Sequence, residues 1–371
     1  VNTCSFIKDA KEESIDVILD LINLKKEGKV KKVIVYGCLS ERYKDILAKE
    51  LPEVDAFVGR VLLDSDTQRF NITPRHYAYL KICEGCVNQC SFCVIPKIKG
   101  KFQSLPVESI LKKVDILSRE KVSELNIIGQ DISGFGLDIK GRPFLPELLK
   151  VVVKRAHGIG WIKLLYLNPL RVDINLLEVI AGEEKICKYI DLPLQHINNR
   201  ILKMMNRGIT KKGILSVIEK IRKRIPGVFI RTSLIVGFPG ETEKEFKELL
   251  SFVKDLKFER LGVFKYSREE GTKAYDFKGH LSESVKNERF ERIMQAQQQI
   301  STLVNSSFMN RKIKVLVDDV KEGEYIGRTE FDAPEVDGLV YIKSKRRISP
   351  GDFVEVLVTD TLEYDLVGQE V

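Results

Sequence analysis

No stretch of this chain approaches the roughly 20 consecutive apolar residues needed to span a bilayer, which argues against a helical membrane protein. Long internal repeats and low-complexity tracts are also missing, so neither a solenoid nor a compositionally biased tail is expected. There is no initiating methionine. The chain opens on Val1 and runs straight into VNTCSFI, which reads as a strand end whose partners are missing and predicts an N-terminal truncation. An even, spread set of cysteines is lacking too. The seven present (Cys4, Cys38, Cys83, Cys86, Cys90, Cys93, Cys187) are odd in number and partly clustered, in a chain too large to need staples. That points away from a disulfide framework and toward metal or redox chemistry in a reducing, cytoplasmic compartment.

What is present is a soluble globular composition. The 371 residues are 43% hydrophobic and 31% charged, enough for two or three cores including one of barrel size. A net charge of +8 suggests an acidic partner only weakly, because a lysine-rich surface is commonly just solvated.

The fold class is α/β. Residues 1 to about 70 read as the remnant of a small Rossmann-like α/β domain. A helix with Ile15, Ile18, Leu19 and Ile22 on one face leads to the buried strand KKVIVYGC, then a second helix and the strand DAFVG. Cys4 and Cys38 are thereby both expected at strand ends, where α/β sheets present their loops. From Tyr77 the strands YAYLKIC, ELNIIG, IKLLYLN, KYIDLPL, VFIRTSLIVG and RLGVFKY alternate with amphipathic helices such as PVESILKKVDILSRE. Six βα units predict a parallel sheet curled into a partial or full barrel, with its functional face at the carboxyl ends of the strands. The cysteine window, GQD (129–131), LQH (194–196) and GFPGET (237–242) all fall just after strands. From about residue 307 the short strands KIKVLVDDV, EYIGRT, GLVYIKS and DFVEVLVTD predict a small antiparallel barrel of the oligomer-binding kind. This last part holds nine Lys and Arg against fourteen Asp and Glu, a net of −5, which leaves +13 on the rest.

KICEGCVNQCSFC, residues 81–93, admits three readings. Zinc would need a closed tetrahedron from four thiolates, with Cys86 and Cys90 folding back within three residues. A fully ligated electron-transfer cluster would need the ferredoxin spacing, which is missing. The third reading takes only Cys86, Cys90 and Cys93, spaced C-x3-C-x2-C after a strand, as ligands to three irons of a [4Fe-4S] cluster whose fourth iron stays open for a ligand. Cys83 is then the last residue of its strand, Phe92 packs against the cluster or the core, and Pro96 is expected to block an immediate helix. Thr242 reads as an N-cap with Glu245 three residues on, while Gly237 and Gly240 would let backbone approach a ligand. Gln130 and Asp131 would face the same mouth. Lone Cys187 reads as core.

With that spacing the chain resembles the radical S-adenosylmethionine superfamily, in which the open iron chelates S-adenosylmethionine and reductive cleavage yields a 5′-deoxyadenosyl radical. The resemblance implies a cofactor site that includes Gln130, Asp131, Gly237, Gly240 and Phe92. Along nearly its whole length, through VNTCSFI, YGCLSER, GQD, DLPLQH with LKMMNR, IVGFPGETEKEF and VFKYSREEGT, it is similar to the methylthiotransferases. That family implies a truncated N-terminal domain (1–70), a radical core (71–306) and a terminal TRAM barrel (307–371). It also implies a second [4Fe-4S] cluster, with Cys4 and Cys38 as two ligands and a third from an earlier segment. DLPLQH, ERFERIMQAQQQIS and GRTEFDAPEVDGLVYI resemble the RimO branch, which methylthiolates the β-carbon of an aspartate in the twelfth small-subunit ribosomal protein. Two S-adenosylmethionine molecules would then serve, one as methyl donor and one as radical source, with electrons from an external donor. His196 becomes a candidate for binding the substrate aspartate, and the acidic terminal barrel is expected to dock the basic ribosomal protein. Nucleic-acid binding is not expected to dominate. A tRNA adenosine methylthiotransferase remains the nearer alternative and a zinc-bearing nucleic-acid-binding protein the more distant one.

Overall fold

In a computed structural model, residues 1–60, 73–321 and 323–371 are described, so the expected boundary near residue 70 lies outside them. They divide into two compact units: residues 1–60, 85–102 and 267–278 form one, and 73–84, 103–266 and 279–371 the other. No helix among the described residues is long and apolar enough to cross a membrane.

The first unit holds a three-stranded parallel sheet of β1 (Asn2–Thr3), β2 (Ile34–Gly37) and β3 (Ala56–Val58), with β2 in the centre. The helix Lys8–Lys26 buries Ile18 and Ile22 against Val33, Val35, Leu39 and Phe57. Leu19 lies at the edge of that stripe and is 42% exposed. Cys38 is not the last residue of its strand as expected. The chain turns at Gly37, and Cys38 opens the helix Cys38–Glu50. Pro96 likewise does not block a helix. It occupies the first turn of Ile95–Lys99, where a missing N–H costs nothing.

In the second unit all six expected sheet strands form. They are β4 (Tyr77–Lys81) and, after the two-residue strands β5 (Cys83–Glu84) and β6 (Gln103–Ser104), β7 (Glu124–Ile128), β8 (Trp161–Leu164), β9 (Ile186–Asp191), β10 (Phe229–Val236) and β11 (Arg260–Lys265). Their order is β11-β10-β9-β8-β7-β4, parallel throughout, with helices as crossovers. Because no pairing among the described residues joins β4 to β11, the sheet is a partial barrel. Cys83 is a correction: β4 stops at Lys81, and Cys83 instead begins a short antiparallel pair with β6.

The last strands, β12 (Lys312–Lys321), β13 (Glu324–Thr329), β14 (Val340–Lys343), β15 (Phe353–Thr361) and β16 (Leu366–Glu370), close into a barrel in the order β12-β13-β14-β16-β15. One pair, β14 with β16, is parallel, so the barrel is not wholly antiparallel. β16 is a strand that was not expected from the sequence. Gly368 weakens its strand signal, yet only glycine fits, since a Cβ there would lie 2.4 Å from Val356 Cγ1.

This barrel packs on the amino ends of the sheet strands. His76, just before β4, meets Asp318 at 2.7 Å. Trp161, first in β8, packs edge-on to Phe353, while Phe229, first in β10, stacks on Phe331 at 4.1 Å. Arg260, first in β11, donates to Asp332 at 2.6 Å. Five of the barrel's acids are engaged at this contact, although Glu335 stays exposed. Asp318, Glu330, Asp332, Glu335 and Asp337 accept from His76, the Lys188 amide, Arg260, Tyr77 and Tyr189, and Arg328 pairs with Glu124. Nine acids then remain against eight bases. The net −5 therefore does not describe a strongly acidic outer face, and the expected docking role loses its electrostatic support.

Candidate functional site

The first unit carries both sets of candidate cluster cysteines. Thr3 and Gly37 are register partners in β1 and β2, so Cys4 and Cys38 leave neighbouring strands at the same edge. Gly37, at φ +107°, is needed there: a Cβ would lie 2.5 Å from Asn2 Oδ1 and 2.7 Å from the Thr3 carbonyl. Ser5 Oγ donates to the Cys38 carbonyl at 2.9 Å, and the Cys4 amide donates to Ser14 Oγ at 3.0 Å. Cys4 is exposed and Cys38 half-buried.

Cys86, Cys90 and Cys93 are half-buried in one loop, together with half-buried Phe92. A turn closed by the Cys93 amide on the Cys90 carbonyl (3.1 Å) sets the last two close along the chain. Cys86 Sγ accepts from both the backbone N–H (3.4 Å) and Nδ2 (3.2 Å) of Asn88. N–H bonds to a ligand sulfur are among the features that tune a cluster's potential. A donor set of three thiols therefore fits an iron–sulfur cluster. Among the described residues no three His, Cys, Asp or Glu side chains are grouped to hold a single metal ion. A cluster asks for a different arrangement, since each thiolate takes its own iron.

In the second unit, Gln130, Asp131, His196, Gly237 and Gly240 all follow carboxyl ends of parallel strands. Gln130 is half-buried, while Asp131 is buried with its carboxylate engaged by Arg171 Nη1 at 2.7 Å and by Ser133 Oγ. Beneath this turn Cys83 is fully buried, its Sγ 3.7 Å from the Asp131 carbonyl. A Cβ on Gly129 would lie 2.5 Å from that sulfur. Cys83 is thus packing that shapes the GQD turn.

Gly237 and Gly240 take φ +74° and +75°, which side-chain-bearing residues rarely adopt. Three residues that were not named individually from the sequence, Glu241, Arg289 and Arg200, hold their turn. Buried Glu241 accepts the amides of Gly237 (2.6 Å) and Phe238 (3.0 Å) through Oε2. Its other oxygen faces Arg289 Nη1 at 3.2 Å. Arg200 donates to the Gly240 carbonyl at 2.7 Å and, through two nitrogens, to Glu245 at 2.6 Å each. The side chain of Arg200 is the chief reason the Glu245 carboxyl is pulled down to about 2. Glu245 also completes the expected capping box with Thr242. The spacing along the chain does not link these arginines to their partners, which lie some 40 residues away and meet them only in the fold.

His196 has no exposed surface. Its Nδ1 accepts the Asn198 amide at 3.0 Å, which leaves the proton on Nε2, 4.0 Å from Glu241 Oε1. In this arrangement it sits buried in a strand-end loop. Cys187 is core, its thiol pushed up to about 12 by burial.

The Radical SAM superfamily matches residues 80–253, a TRAM domain residues 311–371, and the uncharacterized protein family UPF0004 residues 1–59. The ribosomal protein uS12 methylthiotransferase RimO of Thermoanaerobacter sp. (strain X514) is 46% identical over 395 residues, covering 100% of this chain and 90% of the relative. The protein of that name from Caldanaerobacter subterraneus subsp. tengcongensis is 47% identical with the same coverage. That from Geotalea uraniireducens is 43% identical over 100% of this chain and 89% of its own length. Identity at this level along the entire chain establishes that it belongs to the RimO family of radical SAM methylthiotransferases.

Proposed function

We propose that this chain methylthiolates the β-carbon of an aspartate in ribosomal protein uS12, in the cytoplasm and with electrons from an external donor. The observation that carries this is identity of 46% and 47% over the whole chain to relatives of that name, together with three thiols in one loop spaced C-x3-C-x2-C. Cys86, Cys90 and Cys93 would hold one [4Fe-4S] cluster and Cys4 and Cys38 part of a second; with two S-adenosylmethionine molecules, these groups supply the one-electron activation of the C–H bond, the sulfur and the methyl.

The chain's own residues bind and orient. Asn88 positions the Cys86 sulfur through two N–H bonds. Glu241 and Arg200 fix the backbone of the Gly237–Gly240 turn through the amides of Gly237 and Phe238 and the carbonyl of Gly240. Arg171 and Ser133 fix Asp131, which makes Asp131 a positioning group for the neighbouring Gln130. Preorganisation of this kind matters most where a reactive carbon must meet its partner before it is quenched.

The test is anaerobic reconstitution followed by incubation with uS12 or a peptide of its aspartate loop, read by mass spectrometry. An added methylthio group on the aspartate is the expected outcome. Modification of tRNA adenosines instead would reject the substrate. A protein that holds zinc, takes up no iron and releases no 5′-deoxyadenosine would reject the radical chemistry.

A further inference from the structure

The segment SREEGTKAYDFK, residues 267–278, has so far no part in the chemistry, yet it touches both cysteine-bearing parts of its unit. On one side is Glu269, whose carboxylate is almost fully buried. It accepts Lys11 Nζ and Ser267 Oγ at 2.7 Å each and lies 3.5 Å from Arg42 Nη1. Arg42 donates further to the carbonyls of Ser5 (3.1 Å) and Glu270 (2.6 Å). Ser5 adjoins Cys4 and bonds the Cys38 carbonyl, so this cluster of charges is built onto the Cys4/Cys38 edge.

On the other side, the Ala274 amide donates to the Ser91 carbonyl at 2.8 Å, between Cys90 and Cys93. The two contacts are linked by a short, stiff turn. Thr272 returns both its amide (3.2 Å) and its hydroxyl (2.7 Å) to the Glu269 carbonyl. Gly271, at φ +78°, packs so closely under Lys97 that a Cβ would lie 2.7 Å from Nζ.

We propose that Glu269 is a positioning residue: through Lys11 and Arg42 it locks the Cys4/Cys38 edge to the Cys86–Cys93 loop, and so sets the distance over which sulfur reaches the activated carbon. This rests on the methylthiotransferase reading above. A buried carboxylate held by two cations with charge-assisted bonds has one geometry, and removing a partner leaves the others uncompensated. If the distance drifts, the radical step still runs but its product is quenched before sulfur arrives.

The variants are Glu269→Gln and Lys11→Met. Lys11→Met keeps the aliphatic stem and leaves Arg42 beside Glu269 as a cation, so this variant carries the test if the first misfolds. Two readouts are needed. In protein stripped of clusters, hydrogen exchange read by mass spectrometry should show peptides spanning residues 1–6 and 86–93 losing protection together, about tenfold, with the strand at 229–236 unchanged. In reconstituted protein, iron content and 5′-deoxyadenosine release should persist. Methylthio groups transferred per 5′-deoxyadenosine should fall about tenfold to a hundredfold, the scale of a small misplacement of reacting groups. Unchanged exchange at 86–93, an unchanged transfer ratio, or loss of iron in Lys11→Met would each overturn the proposal. A parent protein that releases 5′-deoxyadenosine but never modifies uS12 would instead sink the underlying reading, and the exchange data would still decide the lock.

Discussion

Arg328 of the terminal barrel reaches into the sheet and grips Glu124, the first residue of β7, with Nη2 2.5 Å from Oε2 and Nη1 3.2 Å from Oε1. The same Oε1 takes Lys163 Nζ at 2.7 Å. On its other side Arg328 donates to Asp318 from Nε (2.7 Å) and Nη2 (2.9 Å), and Asp318 in turn meets His76. Buried Glu124 and half-buried Asp318 thus share one guanidinium, with Lys163 as a second partner of Glu124. Burial alone would push Glu124 up, but Lys163 and Arg328 outweigh it and hold the carboxyl below its ordinary range.

Arg328→Met should therefore cost about 3–5 kcal/mol, because it leaves buried Glu124 and half-buried Asp318 without their shared cation. Arg328→Lys should recover only part of this, since a single ammonium cannot serve both carboxylates in a bidentate way. Urea denaturation at neutral pH measures both. Glu124 and Asp318 have lowered folded values, so the stability they contribute is present above the ordinary carboxylate range and is lost as pH falls through those lowered values. Arg328→Met should flatten that acid limb.

Glu245 gives a narrower pH window. Its carboxyl is lowered from 4.5 to about 2, first by the Arg200 side chain, so its contribution is complete above about 4.5 and disappears as pH falls toward 2. Arg200 is half-exposed, which discounts the pair to about 1 kcal/mol. Arg200→Ala should lose about that amount at pH 7 and little at pH 2. It should also weaken S-adenosylmethionine binding, because Arg200 holds the Gly240 carbonyl, and equilibrium dialysis reads that loss.

The strand pattern of the sheet was legible because each strand is a short apolar run bracketed by amphipathic helices, and hydrophobic burial fixes both periods. Strand ends were less so. Cys83 looked like the last residue of β4, but the backbone leaves the parallel ladder after Lys81 to pair with Gln103–Ser104, a partner some 20 residues on. Charge misled in a related way. A count over the terminal barrel cannot tell Asp332, buried against Arg260, from an acid facing water. The cysteine spacing was readable because its three thiols sit in one local loop. Arg171, Arg200 and Glu269 act through partners tens to hundreds of residues away, and no spacing along the chain links them to those partners.

Gly129 tests the packing under the GQD turn. Its missing Cβ would come within 2.5 Å of Cys83 Sγ and 3.2 Å of Ile132 Cγ2. Gly129→Ala should cost about 1–3 kcal/mol by overpacking. Adding Cys83→Ala removes the sulfur that clashes, so the double variant should recover about 1 kcal/mol or more relative to the sum of the singles. Additive losses in thermal denaturation would show that the clash lies elsewhere.

The same sulfur separates packing from ligation in the window that holds four thiols. Cys83 is fully buried, and its thiol is occupied with the Asp131 carbonyl and the space beside Gly129. Cys86, Cys90 and Cys93 are half-buried in their own loop. Cys83→Ser should accordingly keep iron binding and S-adenosylmethionine cleavage, at a modest cost in stability from placing a hydroxyl in a buried site. Cys90→Ser should lose both, because an alcohol is a poor, hard replacement for a thiolate at iron. Iron assay and 5′-deoxyadenosine release on the two variants decide the matter. Loss of iron from Cys83→Ser would mean that four thiols share the metal, leaving no iron open to bind the cofactor.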